Sequence, residues 1–81
     1  MNTEFLQVIA DRLKEERNAM GLSQQAVADL TGKSRQQVIN YETARSEMTV
    51  GFLAELHELM FDVQYIVTGV RSTNFYEMNK E

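Results

Sequence analysis

One stretch of twenty residues decides the fold, and it runs from Gln24 to Thr43 as QQAVADLTGKSRQQVINYET. Its fifth, ninth and fifteenth places hold Ala28, Gly32 and Val38. Two short helices that cross steeply over a turn need a small side chain where they come closest and an apolar anchor on the second helix. The turn between them needs a residue that accepts a positive φ angle, which glycine does without strain. The spacing therefore predicts two helices joined by a tight corner.

Capping residues mark where both of these helices begin and end. Ser23 is a good N-cap for the first, and Gly32 is a suitable residue to end it. Ser34 can cap the second, and Gln37 stands three residues later, which is the spacing of a capping box. The whole stretch is thus interpreted as a helix-turn-helix.

Apolar periodicity predicts three more helices around this motif. Residues 4–20 form the first, which ends at Gly21, and its apolar positions are Phe5, Ile9, Leu13 and Met20. Its Glu15 and Glu16, like Glu55 and Glu58 further on, are expected to be solvated. On the second helix the inward positions are Val27, Ala28 and Leu30. On the third helix the inward or half-inward positions are Val38, Ile39 and Tyr41.

The two remaining helices follow a polar connection over residues 43–48. Thr49 or Ser46 caps the fourth helix, whose apolar stripe is Phe52, Leu53, Leu56, Leu59 and Met60. Residues 62–68 form a short fifth helix that ends at Gly69, with Val63, Ile66 and Val67 pointing inward. The predicted fold class is all-α, a compact five-helix bundle containing a helix-turn-helix over residues 1–69. Residues 70–81 form a tail that takes part in dimerisation, folds back, is disordered, or begins a strand shared between subunits.

Composition limits the function classes. The 81 residues suffice for one domain, and a core of this size gains from a partner subunit. There is no cysteine, no apolar run long enough for a bilayer and no signal-peptide pattern, which fits a cytoplasmic protein. We find no catalytic motif and expect no enzyme, cofactor, metal or small-molecule substrate. His57 is interpreted as an ordinary helix residue, and the methionines as gap-filling apolar groups.

The net charge of −4 is unevenly distributed. Residues 23–45 have a balance of +1, because Lys33, Arg35 and Arg45 stand against two acidic residues, whereas residues 46–81 have a balance of −4. A protein that binds nucleic acid needs a local basic face, not a basic total. The small number of cations predicts few phosphate contacts.

Four segments resemble the phage repressor and Cro type of helix-turn-helix protein, including repressors of the lambda kind. They are GLSQQAVA at 21–28, GKS at 32–34, VINYE at 38–42 and DVQYIVTG at 62–69. The resemblance covers roughly residues 5–69 and implies a lambda repressor-like DNA-binding domain, whose recognition helix would be residues 34–42. One departure is that Ala44 stands where glycine is common after the third helix, and no proline precedes the fourth.

The resemblance also implies residue roles. Arg35, Gln36 and Asn40 would read base edges in the major groove, since arginine pairs with guanine, and glutamine or asparagine with adenine. Gln24 would touch a phosphate and orient a side chain of the recognition helix. The other expected contacts to the DNA backbone are Ser23, Lys33, Arg45, Ser46 and Thr49. Arg17 and Glu42 would form a structural ion pair.

These features indicate a homodimeric regulator, a repressor that binds a palindromic operator in double-stranded DNA of a bacterium or phage. Phage regulators, antitoxins and restriction–modification controllers remain equally open. The expected dimer surface is Val63, Tyr65, Val67, Phe75 and Tyr76, although the last two could instead fold back onto their own subunit. The alternative is a protein-interaction module on the same bundle, such as a toxin-binding antitoxin, in which the polar face of residues 34–42 is only solvated.

Overall fold

The computed structural model describes residues 1–73 and contains five helices in that range. They are α1 (Thr3–Ala19), α2 (Gln24–Thr31), α3 (Arg35–Glu42), α4 (Val50–Glu58) and α5 (Val63–Thr68). This confirms the predicted all-α class and the order of the helices. Phe75 and Tyr76, which belong to the predicted dimer surface, lie outside the described residues, as does most of the proposed tail.

Polar side chains cap the N-termini of the helices, largely at the residues that the sequence predicts. The Ser23 hydroxyl accepts from the Ala26 amide at 3.0 Å, and the Ser34 hydroxyl accepts from the Gln37 amide at 3.1 Å. The side chain of Gln37 donates to the Tyr41 hydroxyl at 3.4 Å and not back to Ser34, so the capping box is half formed. Thr49, and not Ser46, caps α4.

A residue in the left-handed region follows the end of several helices. Gly32 has φ +71°, as the corner between α2 and α3 requires. Ala44 and Met60 take the same conformation without being glycine, at φ +62° and +74°. After α3 the Arg45 amide donates to the Asn40 carbonyl at 2.9 Å, which is the hydrogen bond that spans more residues in a Schellman motif. The alanine at position 44 thus adopts the backbone conformation that a glycine would take there.

Among the described residues the core is one apolar cluster drawn from all five helices and from Phe61 in the connection between α4 and α5. Its buried members are Ile9, Leu13, Val27, Ala28, Val38, Tyr41, Phe52, Leu56, Phe61 and Ile66. Ala28 and Val38 are both 0% exposed, as the close helix crossing demands. The rings of Tyr41 and Phe52 lie 4.6 Å apart between centroids, which ties α3 to α4.

Several predicted core positions are wrong. Phe5 and Met20 are 68% and 39% exposed, because Phe5 lies in the first turn of α1 and Met20 follows its last residue, away from the middle of the helix that carries the core residues Ile9 and Leu13. Leu30 is 52% exposed because Thr31 takes the inward position one turn after Val27 and donates its hydroxyl to the Val27 carbonyl at 2.7 Å.

Two more apolar positions and one carboxylate also differ from expectation. Met60 (38% exposed) follows the end of α4, and Val67 (42% exposed) lies on the outer side of α5, where Ile66 fills the core. Glu16, expected to be solvated, is 3% exposed and pairs with Arg71 at 2.9 Å. Glu16 is three residues after Leu13, on the same face of α1, so burial could have been expected from spacing.

Candidate nucleic-acid interface

Helix α3 has one buried face and one exposed face. Val38, Tyr41 and Glu42 are buried. On the other side Arg35 and Gln36 are exposed and Asn40 is half-buried, so all three predicted base-reading residues lie on the outer side of α3. The Gln36 amide donates to the Asn40 side-chain oxygen at 3.0 Å, across one helical turn. The structure thus brings two of these side chains into direct contact.

The guanidinium of Arg35 has no partner among the residues that the structure describes. Within residues 1–73 no ion pair or hydrogen bond engages the side chain of Arg35, Lys33 or Arg45. Arg12, Arg17 and Arg71, in contrast, are all engaged inside the protein. Among residues 1–73, three of the four cations without an internal partner therefore come from the segment around α3, and the fourth is Lys14 on α1.

A buried ion pair fixes the far end of α3. Arg17 Nε donates to Glu42 Oε2 at 2.5 Å, and a second guanidinium nitrogen of Arg17 donates to Oε1 at 3.1 Å. The third donates to the Leu22 carbonyl at 2.7 Å. This is the predicted pair, and it joins α1 to the last residue of α3 with fork geometry.

Gln24 takes part in the same network. Its side-chain nitrogen donates to Glu42 Oε1 at 3.1 Å, and the residue is half-buried at the start of α2. The orienting role expected of Gln24 is thus directed at Glu42, not at a base-reading side chain. A contact between Gln24 and a phosphate remains a prediction.

The predicted backbone-contacting residues surround α3 in the sequence and are held by local hydrogen bonds. The amides of Arg45 and Ser46 both donate to the Asn40 carbonyl, at 2.9 and 3.2 Å, which folds the connection back onto the end of α3. The hydroxyls of Ser23 and Thr49 each accept from a helix amide and keep their own proton to donate. Lys33 is half-buried directly before Ser34.

Tyr65 is the centre of a second polar cluster that the sequence did not reveal. Its hydroxyl donates to Glu15 at 2.7 Å, and the Arg71 guanidinium lies 3.8 Å from the centre of its ring. The hydrogen bond to Glu15 raises the pKa of Tyr65, and the hydrogen bond to Glu16 raises the pKa of Arg71. Tyr65 is therefore engaged within its own subunit, which argues against its predicted place in a dimer surface.

The described residues show no feature of a membrane span or a metal site. In the described part of the chain no helix is long and apolar enough to cross a membrane, and no group of three or more acidic, histidine or cysteine residues could hold a metal ion. His57 is exposed on α4, where it helps to line an apolar groove with Val50, Leu53, Ala54 and Val63.

A tight corner, a second helix with an exposed polar face and a basic segment around it define a DNA-binding domain. The family model described as Helix-turn-helix matches residues 13–63, which is more than half of the chain. The chain belongs to this family, in its phage repressor and Cro type, and is a DNA-binding regulator of transcription. A search of curated protein sequences finds no significant match.

Proposed function

We propose that the protein is a sequence-specific repressor that binds a two-fold operator as a homodimer, with α3 of each subunit in the major groove. The observation that carries the proposal is the exposed polar face of α3. Arg35, Gln36 and Asn40 lie there, opposite the buried Val38 and Tyr41. A helix fits the major groove of B-DNA, which displays a distinct pattern for each base pair.

The side chains on this face suit direct reading of bases. The Arg35 guanidinium, which has no partner within residues 1–73, can donate two hydrogen bonds to the O6 and N7 atoms of guanine. Gln36 and Asn40 can pair with adenine, and their mutual hydrogen bond holds them in register before DNA arrives. The buried network around Glu42 keeps α3 at a fixed angle to α1, so the base-reading side chains are presented on a rigid element.

Phosphate contacts in this proposal come from both ends of α3. Lys33 and Arg45 supply charge, while Ser23, Ser46 and Thr49 supply hydroxyl or backbone donors and Gln24 its second amide proton. These groups fix the register of the protein on the duplex without reading sequence. The few free cations are consistent with a weak electrostatic, non-specific component of binding.

The dimer follows from the size of the domain and from the geometry of the groove. One subunit offers one recognition helix, so a long specific site requires two subunits about one helical turn apart. Exposed Val67 and half-buried Val63 remain available for the contact on α5, and Val50, 83% exposed on α4, extends this apolar surface. Sedimentation at micromolar concentration tests this arrangement, and a clean monomer would contradict it.

Selection of bound duplexes from a random DNA pool tests the reading function. We expect a palindromic consensus, and binding to it should weaken as salt is raised, with the small slope that a few phosphate contacts produce. A second candidate function is a protein-interaction module, which the net charge of −4 and the internal use of Arg12, Arg17 and Arg71 favour. Such a module would give no enriched sequence and no gel shift even at low salt.

A further inference from the structure

Ile39 is an apolar residue on the polar side of α3. It is half-buried, and its neighbours along the chain are the buried Val38 and the half-buried Asn40. Among the described residues, the half-buried apolar side chains that pack against the core are Leu22, Met48, Leu53, Leu59 and Val63. Ile39 is not one of them, so core packing does not account for its side chain.

Helical geometry places Ile39 among the base-reading residues. Successive residues turn by about 100° in an α-helix, so Ile39 falls within the arc that runs from Arg35 to Asn40. It follows Arg35 by four residues and Gln36 by three, which are the spacings of side-chain neighbours on a helix surface. Thr43 follows it by four, and the Thr43 hydroxyl already donates to the Ile39 carbonyl at 2.7 Å. Ile39 is therefore the apolar member of a surface whose other members offer hydrogen bonds.

An apolar side chain on a surface that reads bases can recognise one particular base. The major groove displays one apolar group, the 5-methyl group of thymine, and apolar side chains recognise it by contact. A β-branched residue in a helix is held largely to one rotamer, so Ile39 presents its methyl groups in a defined position. Flanking polar residues disfavour an apolar protein partner on the same surface, since their hydrogen-bonding groups would be buried unpaired.

We propose that Ile39 reads the methyl group of a thymine in the operator half-site, in or next to the base pairs that Arg35, Gln36 and Asn40 contact. The proposal rests on the proposed function, because it requires α3 to lie in the major groove. It adds a fourth residue to the reading set and a thymine to the expected consensus. The role is one of shape, since Ile39 neither donates nor accepts a hydrogen bond through its side chain.

Deoxyuridine substitution tests the contact directly, since uracil pairs as thymine does but lacks the methyl group. Each thymine of the selected half-site is replaced in turn, and the dissociation constant is measured for the wild type and for Ile39→Ala. We expect wild-type affinity to fall about four-fold at one position, the effect of burying one methylene-sized group. Ile39→Ala should bind the thymine and uracil duplexes equally at that position and keep the wild-type pattern elsewhere.

Two further variants separate a contact from an effect on folding. Ile39→Val should keep part of the thymine preference, and Val8→Ala, which truncates an exposed β-branched residue on α1, should keep all of it. Wild-type binding without a thymine-to-uracil effect at any half-site position would overturn the role of Ile39 alone. Failure of the wild type to bind any selected duplex would overturn the proposed function itself.

Discussion

Glu42, the last residue of α3, accepts two hydrogen bonds from the guanidinium of Arg17 on α1, and both side chains are buried. A carboxylate at a helix C-terminus is opposed by the helix dipole, so Glu42 would be unfavourable there without a counter-charge. Arg17 supplies that charge, and Gln24 adds a third hydrogen bond. The angle of the recognition helix is thus coupled to α1 and α2 through one carboxylate.

Removing only the cation of the pair, Arg17, should strongly lower the stability of the protein. We expect Arg17→Met to lower the free energy of unfolding by about 3–5 kcal/mol, because it leaves the Glu42 carboxylate buried without its partner. Urea denaturation with and without the substitution measures the change. For a domain of this size such a loss is a large fraction of the total stability.

The double variant Arg17→Met with Glu42→Leu is the matched control. Replacing both members of a buried pair with apolar groups is often close to neutral, so the double variant should be more stable than Arg17→Met alone. Stability that falls further when the second change is added would show that the pair is not energetically coupled.

Replacing Ala44 with glycine, the residue that is common at this place, should make the protein more stable. A left-handed conformation costs an L-residue roughly 1–2 kcal/mol, and glycine avoids this cost while losing more chain entropy on folding. We therefore expect Ala44→Gly, at φ +62°, to raise the melting temperature by a few degrees.

Ala54 offers the same substitution with the opposite expectation. It is exposed within α4, where glycine is about 1 kcal/mol less favourable than alanine. Ala54→Gly should therefore lower the melting temperature. If both substitutions moved it in the same direction, the backbone conformation at Ala44 would not be the cause.

The fold was predictable where local rules and packing agree. Ser23, Ser34 and the spacing of Ala28, Gly32 and Val38 locate the central motif, since caps and corners depend on a few neighbouring residues. Outward-facing Leu30 was not predictable in this way, because α2 is short and several arcs of it carry apolar residues. Packing against the other helices decides which face of α2 is buried, and it buries Thr31 and leaves Leu30 exposed.

In the candidate site, too, local sequence predicts some features and tertiary contacts determine the others. The exposed positions of Arg35 and Gln36 follow from periodicity once Val38 is recognised as the anchor. The Arg17–Glu42 pair was predicted through resemblance, since 25 residues separate its members and no local pattern links them. The cluster of Glu16, Asp62 and Arg71 was missed for this reason too: the chain brings Arg71 back to α1 only through the path of α5.

Arg35 should carry base discrimination. We expect Arg35→Ala to weaken binding to the selected duplex by about 1–3 kcal/mol and to relax the preference at one base pair, because a two-pronged contact with guanine is lost. Titrations against the consensus and its single-base variants measure both effects. Lys14→Ala, which removes one exposed cation on α1, is the control and should leave the base preference intact. An equal loss on consensus and random DNA would assign Arg35 to a phosphate.

Lys33 and Arg45 should act through charge alone. We expect Lys33→Gln and Arg45→Gln each to weaken binding by a similar factor on every duplex, because phosphate contacts carry no sequence information. Each substitution should also reduce the slope of log K against log salt by about 1, as one fewer phosphate is neutralised. The wild-type slope should itself be small, since Lys33, Arg35 and Arg45 are the cations of residues 23–45. A slope unchanged in both variants would remove these two residues from the interface and leave contact with the DNA backbone to the amides and hydroxyls around α3.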